Sequence, residues 1–240
     1  VSAFDTESFI IDLKDRFFKN YPIVPLRQQI GGTPAIMAIC EDDDGIFWFL
    51  QERMGLYTYN AKTGELKSYK DFPQTKNLEL HSVVTLEKSK QEGKIWVAPL
   101  SNTVIYQMRQ ENLHMYLDKE INLSHTAPNP GSIRTLYEDR TGNLWIGTDN
   151  GLFMYSAKDN VSMPIHSVGG RVSAITQTTD GMIWICTEDG YLYKIKSPEE
   201  RESFYIKKDF MAMDATSDGV LWLGTKQGNV YRYLSDTGEL

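Results

Sequence analysis

The sequence predicts an all-β chain folded as a β-propeller, and three observations carry that prediction. All five tryptophans stand three residues after a glycine: Gly45/Trp48, Gly93/Trp96, Gly142/Trp145, Gly181/Trp184 and Gly219/Trp222. Each pair is preceded by a short apolar run and followed by a second turn and an aromatic-rich run. The tryptophans recur at intervals of 48, 49, 39 and 38 residues. Units of roughly 40–50 residues with about four strands are propeller blades.

The first strand of each unit is an apolar run: IMAI (36–39), VVTL (83–86), IRTL (133–136), VSAI (172–175) and FMAM (210–213). A tight turn follows, with Asp44, Glu92, Thr141, Asp180 or Asp218 just before the glycine. Glycine at a hairpin tip adopts positive φ without steric cost. The second strand holds the tryptophan. Its apolar and β-branched neighbours suit a strand packed on both faces, so Trp145 and its counterparts read as packing between blades. The second turn has Gly55, Asn102, Gly151, Gly190 or Gly228, and asparagine is the next most tolerant residue for such a turn. The third strand is GLYTY, NTVIY, GLFMY, GYLY or GNVY. Candidates for an outer fourth strand are ELKSY (65–69) and SFYIKK (203–208).

These units (approximately 36–59, 83–106, 133–155, 172–193 and 210–233) read as one propeller domain over 1–240. FDTESF (4–9) resembles YNAKTGEL (59–66) and YLSDTGEL (233–240), so the two ends are in phase. Two architectures follow: a closed five-bladed ring sealed by N-terminal strands, or a section of a larger ring, with seven blades favoured. Residues 7–20 admit an amphipathic helix, since Phe9, Leu13 and Phe17 share a helical face. A strand is preferred there because the repeat phase demands one.

Composition narrows the function. Apolar residues make up 41% and charged residues 24%, and no run approaches the ~18 residues of a membrane span. The net charge is −7 without a basic block, so neither nucleic acid nor direct membrane contact is expected. The chain opens on Val with no leader pattern, so a signal peptide is expected to be absent or removed. Cys40 and Cys186 form no CxxC and read as buried free thiols. His81, His114, His125 and His166 make no paired-ligand spacing, and no P-loop, GxGxxG or GxSxG occurs. No catalytic residue, cofactor or metal is therefore expected. The acidic run Glu41-Asp42-Asp43-Asp44 reads as a hairpin tip, because a calcium loop with its glycine at Gly45 would place Cys40 first.

A ligand site would lie where the turns between second and third strands gather around the axis. Those turns differ between units while the framework repeats. The candidates are Arg53, Asn102, Asp149, Glu188 and Lys226 on the turns, with Arg134 and Arg171 near the starts of two inner strands. Their mixed polarity suits a sugar, and Arg53 or Lys226 suits an acidic one.

The run IRTLYEDRTGNLWIGTDNGL (133–152) resembles the two-component regulator propeller repeat. Units four (172–193) and five (210–231) follow the pattern well. Unit two departs most, with KSKQEG inserted in its first turn and Pro99 in place of the usual threonine. The resemblance implies a periplasmic, non-enzymatic sensor segment of a hybrid two-component protein in the inner membrane. It implies an oligosaccharide ligand, signalling to polysaccharide-utilisation genes, and further propeller and sensor modules in the parent chain. A homodimer is a further candidate partnership. The alternatives are a lyase-type propeller enzyme, disfavoured by the lack of histidine in the ring turns, and a protein-interaction scaffold.

Overall fold

The computed structural model describes residues 9–12, 17–20, 35–51, 54–80, 83–99, 103–112, 114–198, 200–235 and 237–240. Strands β1 (Phe9–Asp12) and β2 (Phe17–Asn20) pair with each other, so the strand reading holds at those residues. Five sheets follow. The first comprises β3 (Ile36–Glu41), β4 (Ile46–Gln51), β5 (Gly55–Asn60) and β6 (Glu65–Ser68). The second comprises β7 (Val83–Lys88), β8 (Lys94–Pro99), β9 (Val104–Glu111) and β10 (His114–Asn122). The third comprises β11 (Ile133–Glu138), β12 (Leu144–Thr148), β13 (Gly151–Ser156) and β14 (Val161–Ile165). The fourth comprises β15 (Val172–Gln177), β16 (Ile183–Thr187), β17 (Tyr191–Ile195) and β18 (Arg201–Tyr205). The fifth, with three strands, comprises β19 (Phe210–Ala215), β20 (Val220–Thr225) and β21 (Val230–Leu234).

Every sheet is an antiparallel meander in sequence order, and the inner strands β3, β7, β11, β15 and β19 contact one another in succession. The fold is a β-propeller. The outer strands differ slightly from expectation. Tyr69 leaves β6 for a 3-10 turn, and β18 lies at 201–205, because Ile206 already bonds Gly190 and Lys207 takes a left-handed φ of 57°.

The indoles explain the stacking. Trp48 packs with Ile95, Val97 and Met108 of the second sheet, and Trp96 with Ile133, Ile146 and Phe153 of the third. Trp145 packs with Ile183, Ile185 and Tyr193 of the fourth, and Trp184 with Leu221, Leu223 and Tyr233 of the fifth. Each of these four indoles is no more than 4% exposed, and each faces the sheet that follows its own. Trp222 faces no described sheet and is 44% exposed, with Val230 beside it at 68%. The expectation that every indole fills a seam thus holds for four of five.

Buried carboxylates hold two of the first turns. Asp42 accepts from Asp44 N and Ile46 N through Oδ1 and from Trp48 Nε1 through Oδ2 at 2.7 Å. Asp139 accepts from Thr141 N, Thr141 Oγ1 and Asn143 N through Oδ1 and from Trp145 Nε1 at 2.8 Å through Oδ2. The acidic run at 41–44 is the hairpin tip expected of it. In the fourth turn Thr178 Oγ1 takes the same place, 3.2 Å from Trp184 Nε1. The second turn of the first sheet requires glycine: Gly55 has φ 98°, and a Cβ there would lie 2.3 Å from Leu80 O.

Cys186 is buried and Cys40 half-buried, both are free, and burial pushes both thiols up to about 11. They stay protonated near neutral pH and are poor nucleophiles.

Candidate functional site

One end of each inner strand meets the turns between second and third strands, and that end repeats in detail. The backbone N–H of Asp149 donates to Ser132 O, that of Glu188 to Arg171 O and that of Lys226 to Asp209 O. Thr148 donates its hydroxyl to Gly151 O, Thr187 to Tyr191 O and Thr225 to Asn229 O. A constant frame therefore presents three different side chains: Asp149, Glu188 and Lys226.

The inner strands add a second series. Each carries a bulge after its first residue: the register shifts between Ile36/Ala38, Val83/Thr85, Ile133/Thr135, Val172/Ala174 and Phe210/Ala212. A bulge leaves one residue unpaired and re-aims its side chain. Among the residues so placed are Met37, Arg134, Ser173 and Met211. Met37 and Met211 are exposed, while Ser173 is tied to Phe210 O at 2.7 Å.

Four of the sequence candidates come together here. Arg134 grips Asp149 with both arms, Nε to Oδ1 at 2.6 Å and a terminal nitrogen to Oδ2 at 3.0 Å. Arg171 Nε lies 3.0 Å from the same Oδ1, off the hydrogen-bond direction, and its Nη1 donates to Glu188 Oε2 at 3.1 Å. The chain Arg134–Asp149–Arg171–Glu188 thus crosses the seam between the third and fourth sheets. Its two cations and two anions balance. The hydrogen bonds from Arg134 hold the Asp149 carboxyl below the usual carboxylate range, with the Arg171 charge adding to the effect. All four side chains are partly exposed, so the ion pairs contribute little stability. Lys226 is exposed on the fifth-sheet turn, where its neighbour Gln227 donates to Asp209 Oδ2 at 3.0 Å. Arg53 and Asn102 lie outside the described residues, as does His81. Sequence reasoning named these four residues by their place in the unit but, Arg134 apart, did not single out the bulged series, for which no turn residue gives a signal.

At the opposite ends of the inner strands sits a carboxyl pair. Glu138 N donates to Glu87 Oε1 at 3.3 Å, and Trp96 Nε1 donates to Glu138 Oε2 at 2.5 Å. Burial pushes the Glu87 carboxyl up to about 7, and the Glu138 charge adds to it. An unfolded glutamate titrates near ~4.3, so between there and about 7 the folded state holds the extra proton. The contribution of Glu87 to stability therefore falls as pH rises through that window and levels off above it. Urea midpoints of the wild type and Glu87→Gln should diverge across that window, with the variant declining less; parallel curves would contradict this.

Among the described residues, no group of three or more His, Cys, Asp or Glu side chains is placed to hold a metal ion, and no helix is long and apolar enough to cross a membrane.

Residues 128–150 match the model of the two component regulator propeller family, so the chain carries such a repeat in its third sheet. No curated protein matches the sequence. Among solved structures, the extracellular domain of a one component system, BT4673 of B. thetaiotaomicron, is similar at a TM-score of 0.70 and 14% identity. That likeness covers 93% of this chain and 32% of the other. A second structure of that domain, ascribed to a hybrid two component system, gives 0.68 and 13%, covering 85% and 29%. PorZ, an essential surface component of the type-IX secretion system of Porphyromonas gingivalis, gives 0.62 and 16%, covering 85% and 32%. The chain spans about a third of the length of these structures. At such identities the likeness is one of fold.

Proposed function

We propose that the chain is a non-enzymatic ligand-sensing segment of a two-component sensor, acting in the periplasm on an oligosaccharide. Signalling would pass to genes of polysaccharide use. One observation carries the reading: the unit that matches the regulator propeller model also supplies Arg134 and Asp149 to the charged chain across the third and fourth sheets. Sensor regions among the fold's neighbours support it.

The chemistry of that chain favours a sugar bearing a carboxylate. Arg134 already holds one carboxylate, Asp149, in a fork geometry that a uronate reproduces, with the Arg171 charge beside it. Such a ligand competes with Asp149, which acts as an internal counter-ion. Its entry exchanges a bond within the protein for one to the ligand and loosens a link between two sheets. That is a differential contact of the kind a conformational signal requires.

Calorimetric titration with oligogalacturonate and with neutral oligosaccharides tests the assignment. Arg134→Ala and Arg171→Ala should each weaken binding of the acidic ligand by about tenfold or more, consistent with ~1.5–3 kcal/mol for a charged hydrogen bond. Unchanged affinity in both variants would remove the charged chain from the site.

The uncovered face of the fifth sheet belongs to the same proposal. Four seams show what an indole-bearing face takes, namely the next sheet of the same repeat. The face with Trp222 and Val230 is read as receiving a further propeller unit of the parent protein. A protein-interaction scaffold is the second reading, favoured by that same face.

A further inference from the structure

A second feature lies at the rim, away from the ring turns. Strand β10 is nine residues long, against five for β14 and β18. Its register against β9 shifts between Leu117 and Lys119, leaving Asp118 as the extra residue. The shift reverses the alternation of faces. Before it, Met115 and Leu117 face the core shared with the first sheet; after it, Ile121 faces the core shared with the third. Without the bulge, residues 115, 117, 119 and 121 would all point the same way. Asp118 itself takes Arg109 Nε at 2.8 Å and Lys94 Nζ at 3.0 Å.

Lys119 is thereby delivered to the third sheet. Its Nζ donates to Tyr155 Oη at 2.5 Å, and Tyr155 donates in turn to Asn160 Oδ1 at 2.6 Å. Tyr155 is braced from below by Trp96, edge to face at 6.3 Å. Between the end of β10 and strand β14 a groove of about 540 Å³ remains. Ile121, His125, Tyr155, Asn160, Ser162 and Pro164 are among its lining residues. Ser162 pairs with Tyr155 and Pro164 with Phe153, whose rings belong to the core of this seam, so both face the second sheet.

We propose that this groove is a saccharide subsite, separate from the charged chain, for a short neutral oligosaccharide. The proposal rests on the sensor reading. The volume lies within the range of small-ligand sites. The lining alternates apolar surface (Ile121, Pro164, the Tyr155 ring) with hydrogen-bonding groups (Asn160, Ser162, His125 and the Glu120 carboxylate), which matches the two-sided polarity of a sugar ring. No arginine lines it, and the nearby Lys119 ammonium is already bound to Tyr155. An acidic sugar therefore meets the Glu120 carboxylate and no lining cation there, whereas the charged chain places two arginines side by side. The flanking sheets both have sheet neighbours, so the groove does not depend on what covers the fifth sheet.

The test is calorimetry on the full chain with cellotetraose, mannotetraose, xylotetraose and oligogalacturonate. Wild type, Ser162→Tyr, His125→Ala and Arg134→Ala are compared. Ser162→Tyr fills the groove; His125→Ala removes an exposed side chain and serves should the first variant fail to fold. The expected result is a neutral tetrasaccharide whose affinity falls about tenfold or more in the groove variants and stays unchanged in Arg134→Ala. A neutral ligand weakened by Arg134→Ala and indifferent to the groove variants would overturn the subsite and leave the sensor reading standing. Binding of oligogalacturonate alone would do the same. Failure of every glycan on wild type would remove both.

Discussion

Replacing Trp184 by alanine should lower the unfolding free energy by about 3–5 kcal/mol, whereas the same change at Trp222 should cost about 1 kcal/mol or less. The two residues occupy the same position in consecutive units, so local propensity is matched and only the seam differs. Trp184 is fully buried, stacked on Phe204 at 6.3 Å and met edge-on by Tyr233 at 5.6 Å. Lys194 Nζ lies 5.6 Å from its ring centroid. Truncation removes apolar burial from two sheets at once and leaves a cavity that a rigid β-meander cannot collapse to fill. Trp222 has nothing described across from it, so its loss opens no cavity. Urea unfolding followed by far-ultraviolet circular dichroism measures both. Equal losses at the two sites would mean that the seams are not where the stability resides.

The second large effect is expected at Asp139. Asp139→Ala removes an acceptor that serves four donors in a buried hairpin and strands the Trp145 indole N–H without a partner. Charge-assisted bonds of this kind are worth ~1.5–3 kcal/mol each, and an orphaned buried donor costs ~1–3 kcal/mol. Water reaching part of the turn offsets some of this, so the net loss should be about 3 kcal/mol, or roughly 6–12 °C in melting temperature for a chain of this size. Asp180 is the natural control. It occupies the corresponding hairpin but is exposed, and there Thr178 rather than the aspartate receives the indole. Asp180→Ala should melt within a few degrees of wild type. A similar melting temperature for Asp139→Ala would show that the carboxylate merely decorates the turn.

These two predictions also mark what the sequence made legible. The repeat was readable because its signals are local: a glycine at the tip, an indole three residues on, and a second tolerant turn residue. The spacing of Asp42 to Trp48, Asp139 to Trp145 and Thr178 to Trp184 was equally visible, and six residues across a hairpin is the reach of an indole N–H. Of these, only Asp42 was read as part of a turn, within the run 41–44; the indole acceptors Asp139 and Thr178 were not singled out. Arg134, Asp149, Arg171 and Glu188 were legible as a group by phase within the unit. Their mutual neutralisation was not, since it depends on two sheets meeting at a seam. The switch of faces at Asp118 was hidden for a different reason. A bulge changes which side a residue faces without changing composition or hydropathy, so HMYLDKEIN (114–122) reads as one uninterrupted strand. The exposure of Trp222 was also out of reach, because its unit matches the others.

The forward placement of each indole gives the molecule a direction. At each of the four seams the earlier sheet gives a tryptophan and the later sheet receives it, so the two sides of a seam are never alike. Two copies meeting through the Trp222 face alone would therefore not reproduce the native contact, because that contact needs a donor side and an acceptor side. Association that did reproduce it would run head to tail, extending as a filament unless the rotation between copies happened to close.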